Sequence, residues 1–193
     1  MTLYPVILPV KRPEGTLTGR EKVERLSAVS REALAISLRK SGLTLSELAK
    51  DGNDVPLPSD GSYWSVSHKP GCVAAVVSRE PVGIDVEEIR PRSEGIFWLT
   101  ASEGEYELAG GLSWNTFFRV WTAKEAVLKS TGKGIGGLSS CRVCSVPDED
   151  HIDLAYMRKL FRVAQVCHGG YIASVVQDNN EIEWTLVEIL TEE

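Results

Sequence analysis

One pattern occurs twice in the chain. Gly71-Cys-Val-Ala-Ala-Val-Val77 returns as Gly170-Tyr-Ile-Ala-Ser-Val-Val176. A few residues after each copy comes a second matched stretch, Val82-Gly-Ile-Asp-Val-Glu-Glu-Ile89 and Glu183-Trp-Thr-Leu-Val-Glu-Ile189. Helical segments precede both, with Ser30-Arg-Glu-Ala33 matching Ala123-Lys-Glu-Ala126. The competing explanation is chance likeness among short apolar strands. Order and repetition together predict an α+β fold of two similar, pseudo-symmetric halves, residues 1–82 and 83–193. Each half is a long helix packed on a small, mainly antiparallel sheet. The seam between such units is where ligand clefts tend to lie.

Local signals place the elements. Thr18-Gly-Arg-Glu21 is a capping box. Val23, Leu26, Ser30, Ala33, Leu34 and Leu38 then recur at helical spacing up to Gly42, with Arg20, Arg31, Arg39 and Lys40 on the other face. Thr44-Leu-Ser-Glu47 predicts a short second helix, and 51–61 reads as loop. Tyr63–Ser67 reads as a strand, followed by a turn at 68–71. The apolar run Cys72–Val77 reads as a strand buried on both faces. Thr100 or Ser102 caps a short helix through Leu108. Ser113–Ser130 is a strong helix with an apolar side of Trp114, Phe117, Phe118, Trp121 and Leu128. Further strands are expected at Leu138–Val146, Leu160–Cys167, Tyr171–Val176 and Ile182–Leu190.

Composition narrows the classes. The 193-residue chain has a net charge of −6, which argues against general nucleic-acid binding. The charge is uneven: residues 1–82 carry 11 basic and 9 acidic groups, residues 83–193 carry 10 and 18. No apolar run approaches the roughly 18 residues of a membrane span, and the start lacks the pattern of a signal peptide. A cytosolic protein with no membrane partner is therefore expected. Cys141-Arg-Val-Cys144 has a C-x-x-C spacing, with His151, Cys167 and His168 as the other nearby ligand types. The surrounding alternation puts its two cysteines on opposite faces of a strand, which is poor for zinc or redox work.

Three constellations carry chemistry. In 82–88, Ile84 and Val86 alternate with Asp85 and Glu87, so the two carboxylates share one strand face about 7 Å apart. Taken alone this is an edge strand with a solvated face. Gly83 beside it marks close approach by a ligand or another backbone. On the second long helix, Trp121, Glu125 and Lys129 follow at i, i+4 and i+8 and form one stripe; taken alone the Glu and Lys are an ordinary surface pair. Three carboxylates with open positions suit Mg²⁺ holding a phosphate or diphosphate. Ser65-Val-Ser-His-Lys69 sets hydroxyls, an imidazole and an amine at a strand end. That is a plausible phosphate contact, or else a solvated turn.

Ser67-His68, then Gly83-Ile-Asp85-Val-Glu87, then Trp121-Thr-Ala-Lys124-Glu125-Ala-Val-Leu-Lys129, closed by Gly132-Lys-Gly134, resemble the 4′-phosphopantetheinyl transferases of the longer, monomeric, surfactin-synthetase-activating type. The likeness extends over about residues 20–190, and the three motifs together are specific. It implies two similar halves packed as a pseudo-dimer in a single chain. It implies transfer of the 4′-phosphopantetheine arm of coenzyme A to a serine of an apo acyl, peptidyl or aryl carrier protein, with release of 3′,5′-ADP. Asp85, Glu87 and Glu125 would hold Mg²⁺, and Glu125 would also serve as base. Lys129 would steady the diphosphate with help from Lys124. Ser67 and His68 would contact coenzyme A phosphates, and Arg31 would match a basic residue of the family. Carrier contacts are expected around Phe97, Trp98 and Phe117. One departure stands out: the family's G-K-P element, whose basic residue grips the 3′-phosphate, reads Gly52-Asn-Asp-Val-Pro56 here. Two other readings are open: a relative that binds carrier or nucleotide without transfer, and a metal or redox module on Cys141 and Cys144.

Overall fold

A computed structural model describes residues 1–11 and 18–188. Its layers run helix, sheet, sheet, helix. The first helix, α1 (Gly19–Ser41), opens on the expected capping box, in which Thr18 accepts from the Glu21 N–H and the Glu21 carboxylate accepts from the Thr18 N–H. It stops at Gly42, which takes the left-handed conformation at φ 66°. Ala33, Leu34 and Ser37 are buried, whereas Val23, at the start of the expected stripe, is 67% exposed.

The sheet under α1 contains β2 (Val6–Pro9), β3 (Tyr63–Lys69), β4 (Cys72–Ser78) and β11 (Thr185–Leu186), in the order β11-β2-β4-β3. β4 is buried throughout because both of its faces are covered. Val73, Ala75 and Val77 pack with α1 residues, and Cys72, Ala74 and Val76 pack with the second sheet. Each fully buried valine of this kind contributes about 1.5–3 kcal/mol. β1 (Thr2–Leu3) pairs in parallel with β10 (Glu181–Ile182) beside this sheet.

The second sheet is antiparallel, in the order β5-β9-β8-β7-β6, from β5 (Ile84–Glu88), β9 (Tyr171–Val176), β8 (Lys159–His168), β7 (His151–Tyr156) and β6 (Arg142–Ser145). Ile84 and Val86 of β5, with Ala173 and Val175 of β9, face the first sheet across the central core. On the outer side lies α4 (Trp114–Thr131), capped by Ser113 and stopped by Gly132 at φ 65°. Phe117, Phe118, Val120, Ala123, Val127 and Leu128 fill the core beneath it. Two short helices, α2 (Ile96–Thr100) and α3 (Glu103–Leu108), pack at its start, and α3 carries the capping box at Ser102. The repeated stretches 71–77 and 170–176 become β4 and β9, an interior strand of each sheet.

Several local expectations change. Thr44–Glu47 forms no helix; the Ser46 N–H that would open it donates instead to Asp60 across the loop, at 2.6 Å. Ile135–Ser140 is a 3-10 turn, so the strand expected from 138 starts at Arg142. The expected terminal strand is two short pairings, β10 and β11, and its last residues, 189–190, lie outside the described residues. α2 and β7 were not expected.

Gly83 marks the approach of another backbone. A Cβ there would collide with the Ala126 carbonyl oxygen and stand 2.6 Å from the Ser130 nitrogen of α4. This contact sets how closely β5 lies under the helix. Gly83→Ala is therefore expected to lose at least about 2 kcal/mol in urea denaturation. Gly95→Ala, where nothing lies within 4 Å, should leave the midpoint unchanged. Equal midpoints for both variants would contradict the packing.

Candidate active site

Period-two alternation in β5 turns Asp85 and Glu87 toward α4, and the four-residue spacing on α4 aims Trp121, Glu125 and Lys129 back at β5. Lys129 Nζ donates to Asp85 Oδ1 at 2.7 Å and to the Ile84 carbonyl at 3.1 Å. Trp121 Nε1 donates to Glu87 Oε1 at 3.1 Å. Glu125 sits between these two contacts on the same stripe. From the first sheet, Ser67 donates to Asp85 Oδ1 at 2.7 Å, and Ser65 accepts from the Ile84 N–H at 3.1 Å. The two buried serines join the edge of β3 to β5 across the layers.

Together these side chains enclose a cavity of about 260 Å³, lined by Ser67, His68, Lys69, Asp85, Glu87, Trp121, Glu125 and Lys129. Glu125 is half-buried and its carboxyl is pushed up, first by burial and then by Asp85, with Lys129 pulling the other way. Such a carboxyl suits proton transfer. His68 is held down by burial and then by Lys129, Lys69 and Lys50, so it is a neutral imidazole until an anion arrives beside it.

Two buried oxygens, Asp85 Oδ2 and Glu125 Oε1, find no hydrogen-bond partner among the described residues. Buried carboxylate oxygens are rarely left this way. They belong to the donor type a hard divalent cation takes. As they stand, no group of three or more His, Cys, Asp or Glu side chains among the described residues is close enough to hold a metal.

A larger cavity of about 610 Å³ continues from the first and shares Val66, His68, Glu125 and Lys129 with it. It runs between α1, the 50–56 loop and the end of α4, and Arg31, Lys50, Ser27 and Ser30 are among its lining residues. Sequence reasoning missed Lys50. It stands two residues before the Gly52–Pro56 element, and only the fold of the loop, with Lys50 bridged to Pro56, brings it to the wall.

The structure thus brings Arg31, Ser67, His68, Asp85, Glu87, Glu125 and Lys129 to the two joined cavities. It does not bring Lys124, and this corrects the expectation that Lys124 contacts coenzyme A. That side chain is 1% exposed and points away from the cavity. It pairs with Glu105 of α3 at 2.7 Å and donates to the Thr100 carbonyl at 2.8 Å. The reason is angular: Lys124 lies about 100° around the helix from Glu125. Glu105 also accepts from Ser102 and from the Val143 N–H. Cys141 is buried, its thiol pushed up to about 12 by burial, whereas Cys144 is exposed. The C-x-x-C spacing therefore does not turn two sulfurs to one ion.

With this geometry in hand, the chain can be placed. The 4′-phosphopantetheinyl transferase superfamily model matches residues 81–178, just over half of the chain, and the chain belongs to that superfamily. Among its relatives it is 38% identical over 99 residues to the 4′-phosphopantetheinyl transferase psf-1 of Bacillus pumilus, which covers 47% of this chain and 42% of that protein. It is 36% identical over 96 residues to the transferase HetI of a Nostoc species, covering 46% and 40%. To the transferase Sfp of Bacillus subtilis it is 32% identical over 78 residues, covering 38% and 35%. The matches span about two fifths or less of these relatives' lengths.

The Lys124–Glu105 pair makes a stability test separable from catalysis. Burial pushes Glu105 up, but the Lys124 hydrogen bond, the Ser102 and Val143 N–H groups and the Lys124 charge outweigh it and hold the carboxyl below its ordinary 4.5. A lowered carboxyl stabilises the fold above its unfolded value, and that contribution is lost as pH falls. Lys124→Met strands the buried carboxylate and should cost about 3–5 kcal/mol at pH 7. The gap from wild type should narrow as pH falls, beginning above 4.5, where burial makes the stranded carboxyl of the variant protonate first, and ending below 4.5, where the paired Glu105 of the wild type protonates. Urea melts from pH 7 to 3.5 showing a constant gap would contradict the assignment.

Proposed function

We propose that this protein transfers the 4′-phosphopantetheine arm of coenzyme A to a serine hydroxyl of an apo carrier protein. The observation that carries the reading is the small acidic cavity, with its two unpartnered carboxylate oxygens, opening into the larger one flanked by Arg31 and Lys50. A diphosphate fits where the two cavities join, at His68 and Lys129, with the nucleotide in the larger cavity. Lys50 supplies there a positive group that the Gly52–Pro56 element lacks, and the 3′-phosphate is the natural ligand for it with Arg31. The duplicated-halves reading, 1–82 and 83–193, belongs to the same proposal and is supported by the matching places of β4 and β9.

In the proposed reaction the serine oxygen forms a bond to the phosphorus that carries the pantetheine arm. The bond from that phosphorus to the bridging oxygen breaks, and 3′,5′-ADP leaves. Glu125, held up by burial, takes the serine proton. Lys129 faces the charge that develops on the leaving diphosphate oxygen, and His68 faces the same group from β3. Asp85, Glu87 and Glu125 are the residues that would hold a divalent cation, Mg²⁺ by the resemblance, with the unpartnered Asp85 Oδ2 and Glu125 Oε1 as donors, and when bound it would neutralise diphosphate charge. Positioning and charge neutralisation are the main requirements of such transfers.

The test is intact-mass spectrometry of a panel of apo carriers after incubation with the full chain, coenzyme A and Mg²⁺. One carrier should gain a single phosphopantetheine. Glu125→Gln should slow the transfer by about 10²–10⁴-fold without lowering the melting temperature. No mass gain on any carrier would leave a binding-only relative, and a normal rate in Glu125→Gln would remove the base.

A further inference from the structure

The cations around the two cavities fall into two sets. Lys129 and Lys69 are held by carboxylates, Asp85 at 2.7 Å and Glu87 at 2.8 Å. Arg31 and Lys50 line the larger cavity from α1 and from the loop, and neither makes an ion pair among the described residues. The charge of Lys50 nonetheless reaches the junction of the cavities: after burial, Lys129, Lys69 and Lys50 hold the His68 imidazole down. A small hairpin, residues 49–57, sets this position. The Leu57 N–H donates to the Ala49 carbonyl and the Asp51 N–H to the Val55 carbonyl, each at 2.9 Å. Within the turn the Asp51 carboxylate accepts from the Asn53 and Val55 N–H groups at 2.8 and 2.9 Å. Val55 rests against the end of α4, where a Cβ on Gly132 would stand 3.3 Å from its Cγ1. Braced in this way, the hairpin brings a second charged residue to the cavity wall: Asp54, left-handed at φ 62° and likewise without an ion pair among the described residues.

We propose that this hairpin is the specificity element for the 3′-phosphate of coenzyme A: Lys50 and Arg31 grip the phosphate, and Asp54 beside them limits how tightly it is held. The inference rests on reading the cavities as a coenzyme A site. A 3′-phosphate brings about two negative charges. Arg31 and Lys50 give up no ion pair to take it, whereas Lys69 and Lys129 would have to share theirs. Asp54 carries the opposite sign on the same wall, so its carboxylate raises the electrostatic cost of the phosphate. The hairpin thus departs from the family's G-K-P element twice over. Its basic residue stands two positions ahead of Gly52–Pro56, and an acidic residue stands within it.

The test compares coenzyme A with its 3′-dephospho form by calorimetry on the full chain, with no carrier present, so nothing turns over. Wild type is expected to prefer coenzyme A by at least about tenfold, as charge-assisted contacts to one phosphate allow. Lys50→Met and Arg31→Met should each cut that preference by at least about threefold, through weaker coenzyme A binding alone, with the dephospho form bound as in wild type. Asp54→Asn should raise the preference by at least about twofold. Lys40→Met removes a positive charge from α1 at a place where it pairs with Glu183, and should leave the preference unchanged. Equal wild-type affinities for the two nucleotides would overturn the proposal. So would an equal loss of both in Lys50→Met, an unchanged preference in Asp54→Asn, or the same loss in Lys40→Met as in Lys50→Met. A wild-type protein that binds neither nucleotide would instead remove the coenzyme A reading beneath it.

Discussion

Asp85 is the point at which three elements are tied together. One of its oxygens accepts from Ser67 of β3 and from Lys129 of α4, while its backbone pairs with Ser174 on β9. A buried carboxylate cannot stand alone, because burial disfavours its charged form. The positive group that satisfies it comes from a helix on the outer side of the sheet, and the hydroxyl comes from the other sheet. These contacts tie α4 and the edge of β3 to β5, around the cavity between them. Gly83 makes the approach sterically possible, since no side chain fits between its Cα and the α4 backbone.

Around this joint the molecule concentrates charge where stability alone would not. Burial, and then the charges of Asp85 and Glu87, push the Glu125 carboxyl up. Lys129 and Lys69 offset part of it. The Lys124–Glu105 pair, about 100° around α4 from Glu125, is a different kind of structure: its nitrogen and both its oxygens have partners, and it holds the two short helices against the long one. The contrast between a satisfied pair and a set with orphaned oxygens is what separates scaffold from candidate site.

Much of this was legible in the sequence wherever a short period decides direction. Alternation in 84–88 put both carboxylates on one face, and spacing of four along 121–129 put Trp121, Glu125 and Lys129 on one stripe, as found. The capping boxes at Thr18 and Ser102 and the stops at Gly42 and Gly132 are equally local. What periodicity cannot give is the partner across space. Lys124 looked like part of the site because it adjoins Glu125 in the chain, yet one helical step turns it into the core toward a glutamate 19 residues earlier. Lys50 reaches the cavity only through the path of a loop. The contacts of Glu87 join residues from β3, the segment after β5, and α4. The end of the chain misled because its short apolar pattern reads as one strand, whereas it is spent on two pairings of two residues with β1 and β2.

In the proposed site Asp85 and Glu125 face a common position suited to one divalent ion. Crystals grown with Mn²⁺ and coenzyme A test it by anomalous scattering at the manganese edge. One peak is expected within about 2.5 Å of both carboxylates, a generous bound for a hard cation on oxygen. A peak bonded to neither residue, or coenzyme A bound with no peak between them, would contradict it.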